Sequence, residues 1–126
     1  PRYWRRYVAC ADILQLNEGE FALLSGREFS NKAARDFFIS ETDSLTCLVI
    51  TRGLNGTHLV YTREEKIVSR NVKPEPVQRV YDTTGCGDIF GAGFIVQYLK
   101  SGSLIKAARN GNRLAAERCR IKGNIF

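Results

Sequence analysis

The sequence predicts an α/β layered fold with a mainly parallel sheet flanked by helices and one β-hairpin. Helical and strand-like segments alternate through the first half of the chain. The run CLVIT, residues 47–51, has no polar alternation, which is typical of a strand covered on both faces of a parallel sheet. Two further strand-like runs, separated by only three residues, predict the hairpin.

Five elements are predicted in the first half of the chain from apolar spacing and from capping residues. Asn17 opens the second helix and Gly26 closes it, whereas Ser30 caps the third helix. The predicted elements are helix 2–11, strand 12–16, helix 17–26, helix 30–44 and strand 47–51.

The second half is predicted to contain a turn, the hairpin and two longer helices. Pro74 and Pro76 exclude a helix from residues 72–80, so that segment is interpreted as extended. From Phe90 onward, aromatic side chains recur every fourth residue, as expected for one face of a helix. The predicted elements are turn 52–56, strands 57–62 and 66–70, and helices 88–100 and 103–120.

Composition describes a globular domain and limits its partners. The chain has 126 residues, of which 44% are hydrophobic and 25% charged, and no apolar run is long enough to span a membrane. The net charge of +6 could attract nucleic acid or phosphorylated ligands, or could simply cover solvated helix faces. We favour solvated faces because no nucleic-acid motif accompanies the charge. The absence of any methionine indicates a piece of something longer.

The cysteines and the single histidine suggest structural roles. Cys10, Cys47, Cys86 and Cys119 form no C-x-x-C pair, so neither a metal site nor a disulfide framework is expected. All but Cys86 stand in apolar contexts and are predicted to be small core residues. This cysteine usage predicts a reducing, cytoplasmic location. His58 lies in a strand-like run, THLVYT, and is interpreted as structural.

The stretch YDTTGCGDIFGAGF, residues 81–94, carries the strongest chemical signal. A glycine-rich turn that enters a helix directs unpaired N–H groups toward one spot, and the helix dipole adds attraction for an anion. Asp88 would repel a simple anion there, but it could accept a proton from a hydroxyl that attacks a bound phosphoryl group. Alternatively, Asp88 could merely offset the helix dipole while the glycines permit tight packing.

Two familiar phosphate-binding motifs are excluded because their consensus sequences do not match this chain. The dinucleotide fingerprint G-x-G-x-x-G needs a glycine where Phe90 stands. The Walker loop needs G-K-[ST] after its glycines, and this chain has no such sequence. The stretch therefore matches neither of these two motifs.

The stretch resembles the C-terminal signature of the ribokinase-like, or PfkB-type, carbohydrate kinases, D-T-x-G-A-G-D-x-F. Cys86 replaces the usual alanine, which keeps the backbone cradle and adds an oxidation-sensitive thiol. The resemblance implies that Asp88 is the catalytic base and that the backbone of Gly85, Cys86 and Gly87 surrounds the transferred phosphoryl group. The matching positions are Asp82, Thr83, Gly85, Gly87, Asp88 and Phe90.

Two parts of the resemblance concern metal ions. Asn17 and Glu20 match the family's N-x-x-E motif, which implies that they support magnesium directly or through water. The same pair is chemically a helix capping box, and the sequence leaves both roles open. Asp82 and Thr84 resemble positions that bind a monovalent cation such as K⁺ in several relatives.

Two further parts concern the nucleotide. The T-x-G-x-x-G loop of the family is matched by Thr51, Gly53 and Gly56, which implies that they contact the ATP phosphates. An ordinary turn could have the same sequence pattern. Asn112 matches the late helix beside the adenine pocket. It could instead satisfy a buried backbone group.

The resemblance runs across the whole chain and implies a Rossmann-like, ribokinase-like layered fold. Residues 1–126 would form the C-terminal part of the kinase domain, on the nucleotide and catalytic-base side. The acceptor and lid half of the family has no counterpart in this sequence. These residues alone are therefore expected to bind nucleotide weakly, to transfer little phosphate, and to expose a sheet edge that favours a homo-oligomer.

The implied activity is transfer of the γ-phosphoryl group of Mg·ATP to a hydroxyl of a small-molecule sugar. The implied cofactors are ATP, Mg²⁺ and a monovalent cation such as K⁺, with neither nucleic acid nor membrane as partner. A nucleoside or other hydroxymethyl kinase of the same superfamily is the first alternative. The second is a truncated, non-catalytic nucleotide-binding module. A basic nucleic-acid-binding domain is the third, and it predicts salt-sensitive binding to DNA or RNA.

Overall fold

The computed structural model describes residues 4–8, 10–41, 44–74 and 86–120, and over these ranges the predicted α/β class is confirmed. The described elements are α1 (Trp4–Val8), β1 (Ile13–Asn17), α2 (Glu18–Ser25), α3 (Asn31–Glu41), β2 (Cys47–Thr51), a 3₁₀ turn (Gly53–Asn55), β3 (Thr57–Arg63), β4 (Lys66–Val72), α4 (Cys86–Ser101) and α5 (Leu104–Arg120). Among the described helices, none is both long and apolar enough to cross a membrane.

The four described strands form one mixed sheet in the order β1-β2-β3-β4. Strands β1 and β2 are parallel, and their register places Asn17 opposite Thr51. A two-residue turn joins β3 to β4, with φ of 51° at Glu64 and 65° at Glu65, as in the turns that match the twist of a tight hairpin. The parallel pair therefore brings two predicted site residues to the carboxyl ends of neighbouring strands.

The chain divides into two compact units, the first comprising residues 1–52 and 58–71 and the second residues 53–57 and 72–126. The core of the first unit is built on Phe21, which is fully buried. Its ring contacts Phe29 and Phe37 edge to face, with centroid separations of 6.2 Å and 5.6 Å. Strand β2 is buried from Cys47 to Ile50, which explains its lack of polar alternation.

In the second unit, α4 and α5 pack closely because glycines face bulky side chains. A Cβ added at Gly111 would lie 2.7 Å from the ring of Phe90 and 2.9 Å from its carbonyl oxygen. A Cβ added at Gly93 would lie 2.7 Å from Leu114. The Asn110 amide also donates to the Gly93 carbonyl at 2.8 Å. The two helices are therefore fixed against each other by shape and by a hydrogen bond.

Several element boundaries differ from the predicted ones. Strand β1 includes Asn17, which ends the strand and caps the next helix, and β4 runs on to Val72. Helix α4 begins at Cys86, two residues before the predicted start. The predicted extended segment 72–80 lies outside the described residues beyond Pro74.

Candidate functional site

Asn17 and Glu20 form a complete capping box at the start of α2. The Asn17 side chain accepts from the Glu20 N–H at 2.8 Å, and the Glu20 carboxylate accepts from the Asn17 N–H at 2.9 Å. Both bonds satisfy donors that would otherwise be unpaired at a helix start. The structural role that the sequence left open is therefore present, and it leaves the second Glu20 oxygen without a described partner.

The residues at this helix start have the donor chemistry that Mg²⁺ prefers. Magnesium is commonly held by one or two carboxylates, by water and by substrate phosphates. Glu20 is exposed, and its carboxylate uses one oxygen in the cap. Among the described residues no cluster of three or more His, Cys, Asp or Glu residues could hold a metal alone. An ion held between this carboxylate and nucleotide phosphates fits such a donor set.

The carboxyl end of β2 is followed by a tightly held arginine. Arg52 comes directly after Thr51, and its Nε donates to the Glu18 carboxylate at 3.2 Å. Its guanidinium carbon lies 4.4 Å from the centre of the Phe29 ring, within the range of a cation–π contact. Arg52 therefore links the carboxyl end of β2 to the first turn of α2.

The T-x-G-x-x-G loop is a 3₁₀ turn closed by glycine backbone. Gly53 has φ of 56° and Gly56 has φ of 86°, and the Gly56 N–H donates to the Gly53 carbonyl at 3.2 Å. A Cβ added at Gly56 would lie 2.2 Å from the Val72 carbonyl oxygen and 2.9 Å from the Pro74 nitrogen. Glycine is therefore required at position 56 both by its conformation and by the close approach of another backbone.

Asn112 is buried in α5 and bonded on both ends of its amide. Its Nδ2 donates to the Lys73 carbonyl at 2.9 Å and to the Val72 carbonyl at 3.5 Å. Its Oδ1 accepts from the Thr57 hydroxyl at 2.7 Å. The alternative that Asn112 satisfies buried backbone groups is therefore what the described contacts show. A role beside the adenine stays a prediction.

Asp88 lies in the first turn of α4 and is exposed. Among the described residues it has neither a hydrogen-bond nor an ion-pair partner. Gly87 beside it is also exposed, and a Cβ added there would meet nothing within 4 Å. The carboxylate therefore stands at a helix start in open surroundings, free to meet a ligand. The earlier signature positions, Asp82 to Gly85, lie outside the described residues, and the later one, Phe90, is buried.

Two expectations about cysteine are wrong. Cys86, at the first position of α4, is disulfide-bonded rather than a thiol. Cys10 is exposed instead of belonging to the core. Cys47 is buried as predicted, and burial raises the pKa of its thiol to about 12, which makes it unreactive. Because Cys86 is bonded, cysteine usage no longer indicates a reducing compartment.

His58 is a buried residue of β3, as its structural interpretation anticipated. Its Nδ1 lies 2.8 Å from the Asn71 side-chain oxygen, and its ring meets Phe29 edge to face at 5.3 Å. Its Nε2 is buried without a described partner. Burial lowers the pKa of the imidazole, and the nearby Arg52 charge acts in the same direction. His58 is therefore neutral near pH 7 and belongs to the packing of the first unit.

Sequence reasoning missed three residues that make tertiary contacts inside or beside the predicted motifs. Arg52 and Thr57 flank the T-x-G-x-x-G glycines, and Glu18 lies between the two residues of the N-x-x-E motif that were singled out. Their partners are distant in sequence, as with Thr57 and Asn112. The only available signal was their position inside or beside a motif. Their contacts could not be read from spacing.

The comparisons with known proteins agree with the signature. The model of the pfkB family carbohydrate kinases matches residues 2–126, and the chain belongs to that family. A ribokinase of Haemophilus influenzae is 32% identical over 92% of this chain and 37% of its own length. A cytidine kinase of Thermococcus kodakarensis is 33% identical over 90% of this chain and 38% of its own length.

Solved structures give the same fold. A ribokinase of Giardia lamblia matches with a TM-score of 0.83 and 25% identity, over 97% of this chain and 42% of that one. An aminoimidazole riboside kinase of Salmonella enterica, solved with aminoimidazole riboside and an ATP analog, matches with a TM-score of 0.78 and 27% identity. That match covers 94% of this chain and 39% of the Salmonella chain. The chain thus spans well under half the length of the relatives it matches.

Proposed function

We propose that the protein to which this chain belongs transfers the γ-phosphoryl group of Mg·ATP to a hydroxyl of a sugar. The observation that carries the proposal is the exposed carboxylate of Asp88 in the first turn of α4, inside the family signature, where none of the described residues pairs with it. A carboxylate whose oxygens are not already paired can accept a proton from a substrate hydroxyl within hydrogen-bond reach. Membership of a carbohydrate kinase family supports the same chemistry.

In the proposed step, Asp88 accepts the proton of the attacking hydroxyl. The hydroxyl oxygen forms a bond to the γ-phosphorus while the bond from that phosphorus to the bridging oxygen breaks, so ADP leaves. Backbone N–H groups from Gly85 to Asp88 are proposed to stabilise the negative charge on the transferring group. The proton transfer requires the Asp88 carboxylate to lie within hydrogen-bond reach of the attacking hydroxyl.

The nucleotide is proposed to lie along Thr51, Gly53 and Gly56. A Cβ added at Gly53 would meet nothing within 4 Å, so a phosphate chain can approach the loop backbone there, while Gly56 lets the loop pack against the Val72 carbonyl. The ATP analog bound to the Salmonella relative supports ATP as the donor. From the resemblance, Asn112 is proposed to belong to the pocket that receives the adenine of this nucleotide.

Glu20, supported by Asn17, is the proposed protein contribution to a magnesium site. When bound, magnesium would neutralise phosphate charge during transfer. The exposed Glu20 carboxylate provides the oxygen chemistry, and Asn17 fixes its orientation through the capping box. A monovalent cation such as K⁺ at Asp82 and Thr84 is proposed only from the resemblance.

A nucleoside acceptor is the second candidate, because similarity to a cytidine kinase and to a riboside kinase favours it. The described residues lie on the proposed nucleotide side, and the acceptor contacts of such kinases are expected in the part that the relatives have in addition.

We also propose a cytoplasmic location and self-association of the isolated 126 residues, without nucleic-acid or membrane partners.

The test is steady-state ATP turnover by the full-length protein over a panel of sugars and nucleosides. Asp88→Asn is expected to lower turnover about a hundredfold or more, because general base catalysis commonly contributes that much. Its affinity for Mg·ATP should stay within about twofold, since Asn keeps the shape without the charge. Turnover with none of the panel, with nucleotide still bound, would favour a non-catalytic nucleotide-binding module.

A second outcome would contradict the mechanism itself. If Asp88→Asn turned over at the wild-type rate with the best acceptor, Asp88 would not be the base. The 126-residue chain alone should bind nucleotide weakly and show little turnover. Robust sugar-dependent turnover by that chain would contradict the assignment of the acceptor contacts to another part of the protein.

A further inference from the structure

The amide of Asn112 has almost no bonding capacity left for a ligand. A side-chain amide offers two N–H donors and two acceptor lone pairs. The Asn112 Nδ2 donates to two protein carbonyls, at 2.9 Å on Lys73 and 3.5 Å on Val72. Its Oδ1 already accepts from Thr57 at 2.7 Å, and the residue is only 9% exposed. One acceptor position at most remains for a nucleotide.

The partners of Asn112 lie on two different stretches of the second unit. Thr57 ends the nucleotide loop and is 1% exposed, whereas Val72 and Lys73 end the hairpin. The same two stretches touch at Gly56, where an added Cβ would lie 2.2 Å from the Val72 carbonyl oxygen. We call the set of Asn112, Thr57 and the carbonyls of Val72 and Lys73 the amide clamp.

We propose that Asn112 is a positioning residue, which acts on the nucleotide through Thr57 and the loop rather than by direct contact. The clamp fixes the exit of loop 53–57 against residues 72–74, from which the chain continues to the Asp82–Asp88 signature. A loop whose exit is fixed loses less conformational entropy when it binds phosphate. The functional part of this inference rests on the proposed nucleotide site.

The hydroxyl of Thr57 provides the sharpest test. Thr57→Val keeps the shape of the side chain and removes the donor, which leaves a buried Asn112 oxygen unpaired. Thr57→Ser keeps the donor. Asn112 itself is less suitable, because Asn112→Asp would aim a buried carboxylate oxygen at two carbonyls and could prevent folding.

The affinity of the full-length protein for Mg·ATP is measured by calorimetry for each variant. Thr57→Val is expected to bind about tenfold more weakly, the change that one lost hydrogen bond typically causes, and Thr57→Ser within about twofold of wild type. Amide hydrogen exchange at residues 53–57 and 72–74 should rise in Thr57→Val alone. This second readout does not depend on nucleotide binding.

A variant of the first unit controls for general loss of stability. Val60 is fully buried, belongs to the core of that unit and has no part in the clamp. Val60→Ala should lower the urea midpoint as Thr57→Val does, while its Mg·ATP affinity stays near that of wild type.

Three results would overturn the inference. Thr57→Val could bind Mg·ATP as tightly as wild type, Thr57→Ser could be as impaired as Thr57→Val, or Val60→Ala could lose as much affinity as Thr57→Val. Failure of the proposed function would look different, since the wild-type protein would then bind no Mg·ATP. In that case the positioning role would fall with it, and exchange would report only a structural clamp.

Discussion

Two helices of this chain each carry a carboxylate at the third residue, and the two carboxylates are bonded in opposite ways. Glu20 of α2 returns to the Asn17 N–H at 2.9 Å and completes a capping box. Asp88 of α4 is exposed and has no hydrogen-bond or ion-pair partner within the described ranges. The residue before α4 is Gly85, which has no side chain with which to build a reciprocal cap. Equivalent positions are therefore used for stability in one helix and left available in the other.

The difference shows why a carboxylate at a helix start cannot be assigned from its position alone. The helix dipole favours a negative charge at both sites. At α2 the Asn17 and Glu20 side chains each accept a backbone N–H bond and so stabilise the start of the helix. At α4 a Cβ added at Gly87 would meet nothing within 4 Å, so the space beside the Asp88 charge is open to a ligand, as catalysis by Asp88 would require. The partner of the carboxylate, and not the dipole, separates the two roles.

The largest effect is expected from Asp88→Glu. Glutamate offsets a helix dipole as well as aspartate, but it displaces the carboxylate by about one bond length, and such a misplacement can cost about a hundredfold in rate. We therefore expect turnover to fall about a hundredfold, with the urea midpoint unchanged. The measurement is kcat with the best acceptor beside an unfolding curve. Full turnover by Asp88→Glu would indicate that Asp88 only offsets the dipole.

A smaller effect is expected from Glu20→Gln, which separates capping from metal support. Glutamine still accepts from the Asn17 N–H, so the free energy of unfolding should change by less than about 0.5 kcal/mol. The lost charge should raise the Mg²⁺ concentration needed for half-maximal turnover about tenfold, as for other residues that support a metal site. A magnesium titration of turnover checks this. An unchanged titration would leave Glu20 with the capping role alone.

The smallest effect is expected from Asn17→Ala, which removes the cap of α2. Loss of an N-cap side chain typically costs about 1 kcal/mol in the free energy of unfolding. Asn17→Ser should retain most of that stability because serine also accepts from the N–H three residues on. Urea denaturation of both variants checks the difference. Equal midpoints for Ala and Ser would show that the bond from Glu20 to Asn17 contributes nothing measurable.

Much of the fold could be predicted because the local signals agree with it. The unbroken apolar run of β2 follows from burial on both faces, and the Asn17 cap and the Gly26 stop bound α2 closely. The hairpin turn was predicted from spacing alone. Its two central residues are Glu64 and Glu65, which adopt positive φ without being glycine or asparagine. Element types therefore followed from the sequence more reliably than their ends did.

The candidate site was predictable only in part, because its supports are tertiary. Asn17, Glu20 and Asp88 could be found since each is defined by neighbours in sequence. The Thr57 hydroxyl bond to Asn112 joins residues far apart in the chain, and no spacing rule predicts it. The contact of Arg52 with the Phe29 ring is of the same kind. The Cys86 disulfide contradicts an expectation that was based on the absence of C-x-x-C pairs.

The close packing of Gly111 against Phe90 has a consequence for the orientation of Asp88. The ring of Phe90 fills the space that a side chain at position 111 would need, and Phe90 lies only two residues beyond Asp88 on α4. A methyl group at position 111 would collide with the ring and with the Phe90 carbonyl, and α4 would have to shift relative to α5 to make room. Packing on the side of α4 that faces Gly111 therefore helps to set the direction of the Asp88 carboxylate, two residues away along the same helix.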